Sequence, residues 1–189
     1  MKNFNSAYFI LLVLLSLFFI SAFSPKLKKV KLNENVSIRL PEDFLPMTDD
    51  DIARKYYTYR KPLAAFTNPE QVANFSFNQS VTPWRQKDII LLKDFYKASV
   101  MKLYTKVDFV QENIVSINKR DFAVLEFTSQ VSDEDKNSPN FGKVTRGYDY
   151  IQYTVEKGKV LIFHFSCPFQ MKENWSAKAK EIMMTVKIK

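Results

Sequence analysis

The chain has 189 residues, a formal net charge of +8, and 46% hydrophobic, 15% aromatic and 25% charged residues. That length suits one ordinary domain, and the composition excludes a disordered or collagen-like chain. One Cys and one His exclude an intramolecular disulfide framework and the usual zinc clusters, and the three Gly build no phosphate-cradling loop.

Ala7 to Phe23 is a run of seventeen residues without a charge, led by Lys2 and the terminal amine. This is the pattern of a secretory signal, with Ile20-Ser21-Ala22 as a cleavage site before Phe23. No Cys follows the run, which excludes lipid attachment there. The alternative is an uncleaved anchor formed by residues 7–23. At about 1.5 Å per residue the run spans about 26 Å, marginal against a hydrocarbon core of about 30 Å. Lys26, Lys28, Lys29 and Lys31 would hold a retained flank on the cytoplasmic side. The expectation is a signal over residues 1–23, a single exported domain over 24–189, and a periplasmic or secreted location. Losing the signal removes one Lys and no acid, which leaves a charge of +7.

In chain order, Val30–Leu32 and Val36–Leu40 are expected as short strands around Asn33-Glu34-Asn35. Thr48 can cap a short helix with Asp49, Asp50 and Asp51 in its first turn, where carboxylates meet the positive end of the dipole. That reading of the three carboxylates is preferred to a metal site. Leu63–Thr67 and Val72–Val81 follow as strands separated by Asn68-Pro69-Glu70. Thr82-Pro83 marks a helix start, with Pro in the first helical position and the helix running to about Tyr104. Its apolar stripe is Ile89, Leu92, Tyr96, Val100 and Leu103. Phe109–Ile117 and Phe122–Ser129 make a hairpin around Asn118-Lys119-Arg120, and a polar, turn-rich loop spans residues 132–143. Thr145–Glu156 and Val160–Cys167 give the strongest hairpin signal, bent at Lys157-Gly158-Lys159. Leu161, Phe163, Phe165 and Cys167 share one face, with Val160, Ile162 and His164 on the other, as in a strand covered on both sides. A last helix aligns Met171, Trp175, Ala179 and Ile182, and Thr185–Ile188 is expected to close the sheet.

Ser37-Ile38-Arg39-Leu40-Pro41-Glu42-Asp43-Phe44 opens this domain, and a short helix and paired strands lead to the long helix after Pro83. Cys167-Pro168 ends a strand, Trp175 and Ile182 lie on the last helix, and Val186-Lys187-Ile188 follows. In this order residues 30–189 resemble the PsbP-like superfamily, which includes a photosystem II extrinsic protein, a Ran-binding import factor and DcrB-type envelope proteins. The resemblance implies an α+β fold, an antiparallel sheet between helices in an α/β/α sandwich. It also implies a binding or assembly role without catalytic residues common to the fold. The chain departs from the lipoprotein branch in lacking a lipidated Cys.

The residues offer little chemistry of their own. His164 lies mid-strand, sharing a face with Ser166 and not with Cys167, and reads as a packed sheet histidine. Cys167 reads as a small buried hydrophobe. Glu112 and Glu126 lie on one hairpin, and spacing alone does not make them converge. Aromatic and basic residues interleave at Tyr57, Tyr59 and Arg60 and again at Trp84 and Arg85, types enriched at binding hot spots. These five form the candidate partner surface. No catalytic, cofactor-binding or metal-binding residue is assigned. The expected partner is an envelope protein or an anionic envelope component, not nucleic acid, with membrane contact only if the N-terminal segment is retained. The function so expected is a non-catalytic binding or assembly factor of the bacterial envelope. The alternative is an envelope enzyme whose site forms only by tertiary convergence.

Overall fold

The computed structural model describes residues 26–56, 61–133, 136–139 and 141–189. The apolar run at residues 7–23 and the candidate surface residues Tyr57, Tyr59 and Arg60 lie outside the described residues. Strands β1 (Leu27–Lys31) and β2 (Val36–Pro41) form an antiparallel hairpin. The Asn33 side-chain oxygen closes its bend by accepting the N–H groups of Asn35 and Val36 at 2.9 and 2.8 Å.

Helix α1 (Asp49–Lys55) follows the two-residue β3 (Leu45–Pro46). Its capping box is complete: the Asp51 N–H donates to the Thr48 hydroxyl, and the Asp51 carboxylate reaches back to the Thr48 N–H. The Thr48 hydroxyl and the Arg54 guanidinium hold the Asp51 carboxyl below the usual carboxylate range. The acidic triplet is therefore a helix start, as its position implies.

Strands β4 (Ala64–Thr67), β5 (Asn74–Val81), β6 (Lys106–Ile117), β7 (Arg120–Ser132), β8 (Val144–Glu156) and β9 (Lys159–Pro168) join β3 in one sheet. Its order is β3-β4-β5-β9-β8-β7-β6, antiparallel at every pairing. Two-residue turns make both long hairpins. Asn118 and Lys119 take φ of 51° and 65°, and Lys157 and Gly158 take 48° and 71°. The first turn thus achieves without Gly the left-handed pair that a tight hairpin needs.

Helix α2 (Ile89–Leu103) lies on one face of the large sheet. It starts six residues beyond Pro83. Thr82 accepts the Trp84 N–H and Asp88 accepts the Arg85 N–H, so residues 82–85 form a turn, and a 3-10 turn over Gln86–Asp88 leads in. Ile89, Leu92 and Val100 are buried as the stripe implies, but Leu103 is 72% exposed because the helix ends there. Gln86 pins this start to the sheet: its amide donates to the Asp121 carbonyl and accepts from the Thr154 hydroxyl and the Val155 N–H.

The opposite face carries helix α3 (Lys172–Met183) and the small sheet β1-β2-β10. Trp175, Ala179 and Ile182 pack there against Phe75, Phe163 and Phe165. Strand β10 (Lys187–Ile188) pairs with β2, so the last strand closes the small sheet and not the large one. Two cores result, one on each face of the large sheet. Among the described residues no helix is long and apolar enough to cross a membrane.

Candidate functional site

Alternation along the strands puts Ser129 (β7), Asp149 (β8), His164 and Ser166 (β9) and Asn74 and Ser76 (β5) on the α2 side of the sheet. This polar set begins where the apolar side chains under α2 stop. Register brings the members together. His164 pairs directly with Ile151 and Ser129 with Gly147, so Asp149 is the diagonal neighbour of both. Asp149 Oδ1 lies 2.8 Å from His164 Nε2, and Ser129 Oγ donates to Asp149 Oδ2 at 3.0 Å. An ionised carboxylate only accepts, so Nε2 carries the hydrogen in this bond.

Gly147 makes room for the contact. A Cβ at that position would meet Ser129 Oγ at 3.0 Å and Asp149 Oδ2 at 3.5 Å. These groups floor a cleft of about 530 Å³ at this end of the sheet, with Lys55, Tyr104 and Arg146 among its walls. The end of α1 supplies Lys55, and the next residue, Tyr56, reaches Ser76 on β5. Asn74 is 1% exposed, and its amide donates to the Val72 carbonyl while its side-chain oxygen has no partner among the described residues.

The surrounding ionisations follow from burial. Burial, and then the Asp149 carboxylate, pushes the Tyr104 phenol up to about 12, with a Ser129 hydrogen bond pulling the other way. Burial followed by Asp149 also raises the Cys167 thiol to about 12, so the buried Cys167 is no thiolate nucleophile at neutral pH. Desolvation lowers the Lys55 ammonium from its ordinary value.

The order of contacts decides the chemistry. In a Ser-His-Asp nucleophile the imidazole stands between hydroxyl and carboxylate. Here the carboxylate stands in the middle and takes a proton donor from each side. The arrangement fixes a buried charge and orients a serine and a histidine; it does not set the imidazole on the serine hydroxyl. The other buried carboxylate, Glu126, faces α3, where it accepts from the Tyr148 hydroxyl at 3.0 Å and pairs with Lys180 at 2.9 Å. Glu112 pairs with Lys97 at 2.6 Å, and the register sets Glu126 opposite Gln111 and Glu112 opposite Leu125. Glu112 and Glu126 thus point to opposite faces and do not converge. Among the described residues no group of three or more His, Cys, Asp or Glu could hold a metal ion.

His164 is the hydrogen-bonded sheet histidine expected, facing away from Cys167. Trp84 and Arg85 follow the far end of β5, whose eight residues span roughly 23 Å from the cleft end. The half-buried Trp84 packs on Phe95 with ring centroids 6.2 Å apart, and Arg85 pairs with Asp88 at 3.5 Å. Asp149 and Ser129 were not singled out in the sequence. The available signal was one carboxylate alternating with Ile151 and Tyr153 on an inner strand.

No protein-family model and no curated protein matches the chain. Solved structures do. The cyanobacterial PsbP (CyanoP) of Synechocystis is 12% identical with a TM-score of 0.61, over 89% of this chain and 96% of that one. The Ran-binding protein Mog1p of Saccharomyces cerevisiae is 10% identical with a TM-score of 0.57, over 87% and 96%. LpqN of Mycobacterium tuberculosis, described as involved in cell envelope biogenesis, is 9% identical with a TM-score of 0.51, over 86% and 90%. With its antiparallel sheet layered between helices and these structural relatives, the chain has the PsbP-like fold.

Proposed function

We propose that the chain is an exported, non-catalytic binding or assembly factor of the bacterial cell envelope, and that it takes its partner at the cleft beside Asp149. The carrying observation is the polar floor itself. Asp149 is spent on two donors, the buried Asn74 oxygen is unpartnered among the described residues, and Lys55 and Arg146 stand at the walls. Buried polar groups without partners are costly, so a cleft that keeps one suits a ligand that supplies the missing donor. The apolar run at residues 7–23 and the likeness to LpqN, an envelope protein by its description, support the location.

Recovery of partners from the envelope fraction tests this reading. An Arg146→Glu/Lys55→Glu chain should recover less than the wild type, while Trp84→Ala/Arg85→Ala should recover as much. Equal recovery with the cleft variant removes the site assignment.

The alternative is an envelope hydrolase, which would require these contacts to be reordered so that the His164 imidazole reaches the Ser129 hydroxyl. A fluorophosphonate probe separates the two. Binding alone leaves Ser129 unlabelled, and a Ser129 adduct absent from Ser129→Ala would establish the enzyme.

A further inference from the structure

Helix α2 is apolar on both sides. At about 3.6 residues per turn, Ile90, Leu91, Asp94, Phe95, Ala98, Met101 and Lys102 share the face turned away from the sheet, and five of these seven are apolar. Ile90, Leu91, Phe95 and Met101 are 61%, 58%, 54% and 57% exposed, although Trp84 and Tyr96 touch the Phe95 ring. A surface helix ordinarily carries charged residues on that face. Trp84 extends the patch through its contact with Phe95.

The charge around the patch identifies what covers it. Residues 84–106 contain six basic and two acidic side chains. Arg85, Lys93, Lys97 and Lys106 are paired to Asp88, Asp94, Glu112 and Asp108. Lys87 and Lys102 have no ion pair among the described residues, and both are exposed. The patch is therefore apolar with a positive excess, on a chain of net charge +8. A second copy would bring the same cations against it, whereas an anionic lipid surface offers hydrocarbon for the apolar side chains and phosphates for the lysines.

We infer that α2 is an interfacial helix that lays Ile90, Leu91, Phe95 and Met101 into an anionic membrane surface, with Lys87 and Lys102 at the headgroups. This contact does not depend on whether the apolar run at residues 7–23 is retained. The C-terminal end of α2 adjoins the cleft, since Tyr104 follows Leu103 and stands in the cleft wall.

The test uses the full chain with Ala98→Cys carrying a nitrobenzoxadiazole fluorophore, since Cys167 is buried. Phosphatidylcholine vesicles containing phosphatidylglycerol should shift its emission to the blue, pure phosphatidylcholine less so. Leu91→Glu/Phe95→Glu should weaken the partition about tenfold. Lys87→Glu/Lys102→Glu, which alters only exposed charges, should abolish the preference for phosphatidylglycerol. Circular dichroism verifies that both variants are folded. No shift on anionic vesicles, or an undiminished shift in both variants, overturns the proposal. So does a shift that grows with protein concentration without lipid, which assigns the face to a second copy. A shift produced by duplex nucleic acid and not by vesicles overturns it as well.

Discussion

Each oxygen of the Asp149 carboxylate receives one donor, and removing the charge leaves those donors mismatched. Asp149→Asn should cost about 1–3 kcal/mol, because an amide keeps only one of the two acceptor oxygens that the Ser129 hydroxyl and the His164 Nε2–H use. Ser129→Ala removes a single hydrogen bond and should cost about 1 kcal/mol. Urea unfolding measures both, and a larger loss for Ser129→Ala than for Asp149→Asn would mean that the two contacts are not organised around the carboxylate. Gly147→Ala belongs to the same cluster. The added Cβ meets Ser129 Oγ at 3.0 Å, a hydroxyl already held by Asp149, and overpacking of this kind costs about 1–3 kcal/mol. A Gly147→Ala chain as stable as the wild type would show that the Ser129 hydroxyl can turn away freely. The site was half legible in the sequence. His164 reads as a sheet histidine from its neighbours alone, whereas Ser129 and Asp149 meet it only through the register of three strands, and register is a property of the pairing that no local pattern of β7 or β8 states.

Elements were legible where alternation and turn chemistry agreed. The hairpin of β8 and β9 follows from period-two patterning and Gly158, and α1 from Thr48 with its acidic first turn. Pro83 misplaced the start of α2 because proline fits a turn as well as a first helical position, and the deciding capping contact, Asp88 to the Arg85 N–H, lies five residues beyond it. The two residues β10 contributes could not name their partner sheet, since β2 and the large sheet both offered edges in the sequence. The turn between β6 and β7 gives an element-scale prediction. Lys119 holds φ of 65° without being Gly, so Lys119→Gly should stabilise the chain by about 0.5–1 kcal/mol, read as a higher urea midpoint. A loss of stability would mean that the turn owes more to the lysine side chain than to its backbone. The Gln86 anchor works in the opposite sense. Gln86→Ala leaves the Val155 N–H without its acceptor and should cost about 1–3 kcal/mol, with the amides of α2 losing protection from hydrogen exchange before those of β8 and β9.

For the whole molecule, the large sheet separates an α2 core from an α3 core, and both bury phenols or a thiol that ionise late. Burial first, with nearby carboxylates second, raises Tyr104, Tyr150 and Cys167 to about 12 from ordinary values of 10.0, 10.0 and 9.0. A group whose folded pKa is raised contributes stability in full below its unfolded value and loses it as pH climbs through the folded one. The Tm should therefore be insensitive to these groups below pH 9 and fall steadily from there to about 12; a flat profile over that window would mean that they ionise as readily folded as unfolded. On the proposed reading, the working surface is the cleft at the Asp149 end, where a partner binds. The most direct measurement places a photoreactive benzoylphenylalanine at Thr145, exposed on the cleft wall, and at Lys159, exposed at the far end of β9, in the native host. Irradiation should give a discrete envelope adduct from position 145 and none from 159, and Asp149→Asn should diminish it. An adduct from 159 alone, or no adduct from 145 under conditions in which the chain is exported, would contradict the account.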